Sequence, residues 1–257
     1  MYNAEKYWSD LALQINSRNG MNLIAGDDEP YYRYKRSKFI EMLRKSFFTG
    51  KKVLEIGCGP GGNLIEILKD NPLELNAVDI SEQMVLLAKQ NLASFPVKII
   101  KTNGTVLPYQ DQSMDIVLTV TVLQHNTHPE ILQSLVAEIC RVANEEIIIF
   151  ERLESKIIGN ESCQGRPVEF YRELFVKYGF ELTSLNFLPI SCSYYFCGAI
   201  RKIFGMRNRK EGELHNRAVV ILQNIILPIT RLVDIIWIEK RDLAKMVFRK
   251  IRSSPVV

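Results

Sequence analysis

Residues 53–63 read VLEIGCGPGGN, an apolar strand that runs into a glycine-rich turn and then directly into a predicted helix. Glycine adopts positive φ at little cost and lets a ligand approach the backbone closely. The first turn of a helix also presents unpaired N–H groups. A strand, a glycine turn and a helix in this order predict a binding site for a nucleotide-like cofactor at the end of the strand.

A second predicted strand, residues 74–79, ends in an acid. Asp79 lies 22 positions after Gly57 (79 − 57). A carboxylate about 20 residues after such a turn can accept hydrogen bonds from both ribose hydroxyls of an adenosine. A third predicted strand, residues 97–102, leads into Asn103 and Gly104, where we expect the edge of an adenine. The ends of these strands therefore predict an adenosine-containing cofactor.

The chain resembles the class I S-adenosylmethionine-dependent methyltransferases, and the matching segments are EIGCGPG at 55–61, VDIS at 78–81, NGTVLPY at 103–109 and SMDIV at 113–117. The resemblance implies a methyltransferase with S-adenosylmethionine as its cofactor. The family often has aspartate where this chain has Asn103, and an amide oxygen accepts a hydrogen bond without charge. The cofactor contacts implied are Glu55, Gly57, Cys58, Gly59, Asp79, Ile80, Asn103, Gly104, Thr119 and Tyr34.

The main alternative is a dinucleotide site. Gly57, Gly59 and Gly62 satisfy the pattern G-x-G-x-x-G, which is a weak signal by itself. Glu55 stands two residues before the first of these glycines. A carboxylate is unfavourable beside a pyrophosphate, but it suits a cofactor that carries an ammonium and a sulfonium group. We therefore favour S-adenosylmethionine over a dinucleotide.

Predicted strands and helices alternate over residues 52–150, which predicts an α/β, Rossmann-like fold with a mainly parallel sheet and right-handed crossovers. A sixth strand is predicted at 180–188, and residues 243–249 resemble the seventh, antiparallel strand of the family's sheet. We expect helices on both faces of this sheet. The expected domains are an N-terminal helical lid at 1–49, a methyltransferase core at 50–189 and 243–252, and a helical insertion at 190–242.

The segments before and after the predicted core carry aromatic and basic residues that bear on the acceptor and on possible partners. In the lid, residues 31–36 (YYRYKR) would contact the methionine part of the cofactor, as the resemblance implies, or would only dock the helix on the sheet. Residues 190–257 hold 13 Lys/Arg and 5 Asp/Glu, whereas residues 1–189 hold 20 and 24. Such a basic segment attracts phosphate groups, nucleic acid or anionic lipid, or it only keeps a helical surface solvated.

The insertion contains an apolar stretch, residues 218–238, that polar residues and a proline interrupt. Because about 20 uninterrupted apolar residues are needed to cross a bilayer, we expect no transmembrane segment. We expect the stretch to cover the acceptor pocket or to form a homodimer interface. Lying on a membrane surface is a third option.

His125 follows the fourth predicted strand and is the candidate catalytic residue. Methyl transfer from a sulfonium is mainly a matter of positioning, but a hydroxyl acceptor also needs a base, and the reference pKa of histidine is about 6.5. Packing, or a hydrogen bond to the backbone, is the alternative role. His128 and Glu151 are weaker candidates.

The expected acceptor is a small molecule, such as a sugar, a glycan intermediate or a natural product, with a hydroxyl or amine and with or without phosphate. A nucleic-acid acceptor and a non-catalytic cofactor-binding regulator are the alternatives. We expect no metal, because there are only three histidines and none is spaced with a cysteine pair. The five cysteines and the absence of a signal-peptide pattern predict reduced thiols in a cytoplasmic protein.

Overall fold

The computed structural model describes residues 3–16, 29–206, 209 and 213–251. Two helices precede the sheet, α1 (Ala4–Asn16) and α2 (Pro30–Leu43). The first half of the core then follows in the order β1 (Lys52–Ile56), α3 (Gly62–Leu68), β2 (Glu74–Asp79), α4 (Glu82–Asn91), β3 (Val97–Lys101) and β4 (Met114–Val120).

A short 3-10 turn (Leu123–His125) separates β4 from the second half of the chain. The elements that follow are α5 (Pro129–Val142), β5 (Ala143–Leu153), a hairpin of β6 (Ile158–Gly159) and β7 (Gln164–Gly165), α6 (Val168–Val176), β8 (Phe180–Phe187), α7 (Ser191–Phe204), α8 (Arg217–Val233) and β9 (Asp242–Lys250).

The main sheet has seven strands in the order β3-β2-β1-β4-β5-β9-β8. The strands β1 to β5 are parallel, and β9 runs antiparallel to both of its neighbours, β5 and β8. This arrangement confirms the predicted α/β, Rossmann-like sheet with an antiparallel seventh strand. The strand order reverses at β1, whose neighbours are β2 and β4, and ligands in such sheets bind beyond the carboxyl ends of the strands at this switch point.

The sheet is covered on both faces, which is why its central strands are almost wholly apolar. Val53 on β1 faces a core shared with α2, α3, α4, α7 and α8, and its neighbour Leu54 faces a second core shared with α5 and α6. Both side chains are fully buried. Helix α1 lies apart from these cores and packs on α4, where Leu11 and Ile15 contact Met84.

Several boundaries differ from those predicted. Strand β5 continues to Leu153 rather than ending near residue 150, because β9 pairs with it from Glu146 to Leu153. Helix α2 ends at Leu43 rather than near residue 47, and the hairpin of β6 and β7 was not predicted. The insertion is helical as predicted, although the boundaries expected for the lid, core and insertion remain predictions. No helix in the described ranges is long and apolar enough to cross a bilayer.

Candidate cofactor and acceptor site

The glycine turn after β1 needs glycine at specific positions. Gly57, Gly59 and Gly61 have φ values of 72°, 53° and 92°, a left-handed region that other residues enter only with strain. The Gly57 N–H donates to the carbonyl of Val78 at 2.8 Å, which fixes the turn against β2. A Cβ atom at Gly57 would lie 2.4 Å from Cγ2 of Val122, so the turn also packs closely on the end of β4.

Asp79, at the end of β2, ties this turn to the next helix. Its Oδ2 accepts a hydrogen bond from the Gly59 N–H at 2.9 Å, and its Oδ1 accepts one from the Ser81 N–H at 2.8 Å. Burial raises the pKa of this carboxyl, and the side chain is 7% exposed. Ser81 in turn caps α4 by accepting from the Met84 N–H. Asp79 therefore holds the glycine turn in position and also presents a carboxylate beside it.

Glu55, the last acid of β1, is a fully buried carboxyl with one unused oxygen. Its Oε1 accepts a hydrogen bond from Asn63 Nδ2 at 2.7 Å, whereas its Oε2 is buried and makes no hydrogen bond to any described residue. Burial raises the pKa of Glu55 to about 8. A buried acceptor without a partner is costly. The carboxyl does not itself line the cavity described below, although its partner Asn63 does, so its predicted contact with the cofactor remains a prediction.

The raised pKa of Glu55 predicts a pH-dependent stability of the cofactor-free protein. Because the folded pKa of about 8 exceeds the ordinary value of 4.5, the stabilising contribution is complete below pH 4.5 and is lost as the pH rises to 8. Glu55→Gln carries no such charge and should flatten this decline. Urea unfolding at pH 5, 6, 7 and 8 measures the free energy of unfolding and how it declines with pH. Parallel pH curves for the variant and the wild type would show that Glu55 does not titrate in this window.

A cavity of about 620 Å³ opens at the carboxyl ends of β1, β2 and β4. Residues from the glycine turn form one side of it, and side chains from α1, α2, α7 and the start of β9 form the other. Of the residues predicted from the sequence, those that line the cavity are Gly57, Cys58, Gly59, Asp79, Ile80, Gly104 and His125. The structure thus brings predicted residues from four separate segments of the chain to one cavity.

Four predicted cofactor residues do not line this cavity: the fully buried Glu55 and the three described next. Asn103 is exposed, and its Oδ1 accepts hydrogen bonds from the N–H groups of Thr105 and Val106, which closes the loop on itself. Tyr34 faces α8, where the Arg231 guanidinium lies 4.5 Å from the centre of its ring. Thr119 is buried inside the sheet. Their predicted direct contacts with the cofactor are therefore not supported by their positions.

Glu151, a weaker catalytic candidate, organises the 3-10 turn after β4. Its two oxygens accept hydrogen bonds from the N–H groups of Val122, Leu123 and Gln124 at 2.8 to 3.0 Å. The side chain is fully buried, which raises its pKa to about 7. It does not line the cavity, so we assign it a positioning role.

His125 projects from that turn into the cavity. Its Nδ1 lies 2.7 Å from the carbonyl oxygen of Ser162, so this nitrogen carries the proton and donates. The remaining nitrogen, Nε2, is then the acceptor, and the Gln124 amide lies 3.3 Å from it. The ring meets Trp8 of α1 edge to face at 5.0 Å. A neutral imidazole is thus fixed in one tautomer at the wall of the cavity.

Comparison with known proteins identifies the part of the chain that carries this site. Residues 53–146 match a family of proteins described as the methyltransferase domain. These residues form a methyltransferase domain of the class I S-adenosylmethionine-dependent type. The match begins in β1 and ends in β5, so it includes Glu55, the glycine turn, Asp79 and His125.

Relatives align with only part of the chain. A sterol 24-C-methyltransferase of Gibberella zeae is 28% identical over 131 residues, which are 49% of this chain and 34% of that protein. A carboxy-S-adenosyl-L-methionine synthase of Campylobacter hominis is 28% identical over 153 residues, which are 59% of this chain and 64% of that protein. The chain therefore spans less than two thirds of the length of each.

The solved structure of the cyclase SpnF is similar in fold over almost the whole chain. Its TM-score is 0.68 at 15% identity, with 97% of this chain and 96% of that chain covered. The shared fold therefore includes the helices that flank the methyltransferase domain.

The far side of the cavity combines residues of the predicted segment 31–36 with residues that the sequence did not single out. Lys35 of α2 pairs with Asp242 at the start of β9 at 2.6 Å, and Arg201 of α7 pairs with the buried Glu29 at 3.0 Å. These pairs join segments more than 170 positions apart, so no local pattern predicts them. Further lining residues of this region are Tyr31, Tyr32, Arg36, Arg152, Cys163 and Tyr194.

Within the described residues, no group of three or more His, Cys, Asp or Glu side chains is placed to hold a metal ion.

Proposed function

We propose that the protein transfers a methyl group from S-adenosylmethionine to a small-molecule acceptor bound in the same cavity. The observation that carries the proposal is that a single cavity of about 620 Å³ is lined both by the glycine turn and Asp79 and by the basic and aromatic side chains of α2 and α7. Its volume lies within the roughly 300–1,000 Å³ of small-molecule sites. A nucleic-acid acceptor has no comparable support.

The residues around the glycine turn suit the parts of this cofactor, which supplies a methyl group carried on a sulfonium. Asp79 would accept from the ribose hydroxyls, since each of its oxygens has a second lone pair beyond its bond to the backbone. Glu55 would contact the ammonium group only if the cavity wall opened toward its unpartnered Oε2, because the structure has this side chain fully buried and outside the cavity lining. Gly104, rather than the side chain of Asn103, would border the adenine.

The acceptor side of the cavity favours an acceptor with an anionic group. Lys35, Arg36, Arg152 and Arg201 line this side. Three of them already pair with an acid, Lys35 with Asp242, Arg152 with Glu154 and Arg201 with Glu29, so an anionic acceptor would share these cations. A phosphate or carboxylate would therefore find cationic partners there. The two relatives named above differ in what their names say they act on or make, so our proposal for the acceptor rests on the cavity.

All five cysteines are free thiols, which supports the cytoplasmic location that we expect.

His125 is our proposed base for a hydroxyl acceptor, because its ring lines the cavity and the bond from Nδ1 to Ser162 makes Nε2 the basic nitrogen. His125→Gln removes this base and should lower kcat by roughly 10²-fold or more while leaving cofactor affinity unchanged. The matched control is His128→Gln, because His128 does not line the cavity and should keep its activity. Equal kcat and an equal pH profile for His125→Gln and the wild type would assign His125 to packing.

The proposal is tested by incubating the purified protein with methyl-labelled S-adenosylmethionine and a cell extract separated by size. We expect label to appear in the small-molecule fraction, together with demethylated cofactor, and Asp79→Ala to suppress both. Label in the protein or nucleic-acid fraction would contradict a small-molecule acceptor. Retained cofactor without turnover in any fraction would favour the non-catalytic regulator.

A further inference from the structure

Helix α8 buries several polar residues and leaves a row of its apolar residues exposed. Gln223, within α8, is 0% exposed, and Asp234, directly after its last residue, is 1% exposed. Ile225 and Ile229 are 63% and 60% exposed. A helix on the surface of a globular protein normally presents its apolar stripe to the core and its polar side chains to solvent. Val219 and Leu227 of α8 are buried in the core, but packing within the described chain leaves its isoleucines uncovered.

Specific hydrogen bonds hold α8 in this orientation. Gln223 donates to the buried Glu29 at 2.7 Å and accepts from the Tyr31 N–H at 3.1 Å, which joins α8 to the start of α2. Thr230 bonds the Ser193 hydroxyl of α7 at 2.8 Å, and Asp234 accepts from the Ser193 N–H. Because buried polar groups that are fully paired define one packing arrangement, α8 is fixed with its isoleucines exposed.

The exposed apolar surface continues past the end of α8. It includes Ile236, which is 85% exposed, and Trp237, which stacks on Tyr195 of α7 at 5.8 Å. We define the outer face as the exposed apolar residues of this region, namely Ile221, Ile225, Ile229, Leu232, Ile235, Ile236, Trp237 and Ile238. An exposed apolar surface this extensive indicates an interaction site.

The charges around the outer face are almost all of one sign. Between residues 190 and 241, the exposed charged side chains that the structure describes are Lys202, Arg217, Arg231, Lys240, Arg241 and a single acid, Glu213. A second copy of this chain on a two-fold axis would bring the same cationic rim against itself. Anionic lipid headgroups, in contrast, would complement these side chains.

We propose that the outer face docks the protein on the surface of a bilayer that contains anionic lipids. The isoleucines would enter the boundary between headgroups and acyl chains, the cationic rim would contact the headgroups, and the Trp237–Tyr195 pair would lie at the interface. Helix α7 would then lie between the membrane and the cavity, since its Tyr194 lines the cavity. The inference does not depend on the proposed methyl transfer.

Vesicle flotation with the full chain tests this proposal. We expect binding to phosphatidylcholine vesicles that contain phosphatidylglycerol, weaker binding to pure phosphatidylcholine, and a decline with added salt, because charges are screened within about 10 Å at 0.1 M salt. The triple variant Ile225→Gln/Ile229→Gln/Ile236→Gln should bind at least about tenfold more weakly, since binding scales with the apolar area inserted. The variant Lys202→Gln/Arg217→Gln/Lys240→Gln should lose the preference for anionic vesicles.

The matched control changes exposed apolar residues elsewhere on the surface. Leu73→Gln/Ile157→Gln/Val176→Gln removes three such side chains and should bind vesicles as the wild type does. Absence of wild-type binding to anionic vesicles would overturn the proposal. So would equal binding by the isoleucine variant. A wild-type dimer that becomes monomeric in the isoleucine variant, without vesicle binding, would assign the outer face to a second copy of the chain.

Discussion

Asp79→Ala should lower the affinity for S-adenosylmethionine at least about tenfold. Hydrogen bonds to a charged acceptor contribute roughly 1.5–3 kcal/mol each, and the change removes the proposed ribose acceptor. It also releases the N–H groups of Gly59 and Ser81, so the glycine turn loses its link to α4. We therefore expect a lower Tm in addition to weaker binding. Equilibrium dialysis with labelled cofactor measures the first effect, and thermal unfolding the second.

Asp115→Ala is the matched control for this change. Its carboxylate also accepts a backbone hydrogen bond, from the Lys52 N–H at 2.8 Å, but Lys52 begins β1 and lies at the opposite edge of the sheet. We expect this variant to lose some stability and to keep the cofactor affinity of the wild type. Asp79→Asn, which retains one acceptor oxygen, should lie between the wild type and Asp79→Ala. Unchanged affinity in Asp79→Ala would show that Asp79 does not bind the ribose.

Gly57→Ala should abolish measurable cofactor binding. Alanine at a φ of 72° costs about 1–2 kcal/mol, and its Cβ atom would lie 2.4 Å from Cγ2 of Val122. The turn or the end of β4 must therefore move, and both border the cavity. Binding by the variant is measured by equilibrium dialysis, at a temperature where circular dichroism shows it to be folded.

Gly50→Ala separates backbone strain from the steric clash. Gly50 has a φ of 70°, but a Cβ atom there meets no atom within 4 Å. We expect Gly50→Ala to reduce stability by a similar strain and to bind the cofactor normally. The double variant Gly57→Ala/Val122→Ala, which removes the clashing methyl group, should recover part of the lost binding. Wild-type binding by Gly57→Ala would show that the close contact with Val122 is not needed.

The sequence predicted the sheet and one side of the cavity because their signals are local. A strand buried on both faces needs an unbroken apolar run, and a turn with three positive φ values needs glycines, so β1 and its turn are visible in a short window. The same holds for Asp79, which ends an apolar strand. Parallel strands then bring these ends to one edge of the sheet, which is why separate motifs converge.

The predicted contacts that the positions do not support concern the direction in which side chains point. The sequence placed Asn103 in the correct loop, but its oxygen caps that loop instead of facing the cavity. Tyr34 lies on the correct helix but faces α8, whereas Tyr31 and Tyr32 line the cavity. A shift of two or three positions on a helix changes the face, and only the packing partner decides which face is buried.

The pairs on the acceptor side, and the orientation of α8, depend on contacts between distant segments. Lys35 and Asp242 are 207 positions apart, and Gln223 and Glu29 are 194 apart. The apolar composition of residues 218–238 is compatible both with a helix buried in the core and with a helix whose apolar side is exposed. Only the buried positions of Gln223, Thr230 and Asp234 show that its isoleucines face outward.

The most direct test of the account is a calorimetric titration of the wild-type protein with S-adenosylmethionine and, separately, with NAD. We predict saturable binding of S-adenosylmethionine at one site per chain and no detectable heat with NAD. The Glu55 carboxyl two residues before the turn disfavours a pyrophosphate, whereas Asp79 would suit the ribose of either ligand. Saturable binding of NAD, or no binding of S-adenosylmethionine, would contradict it.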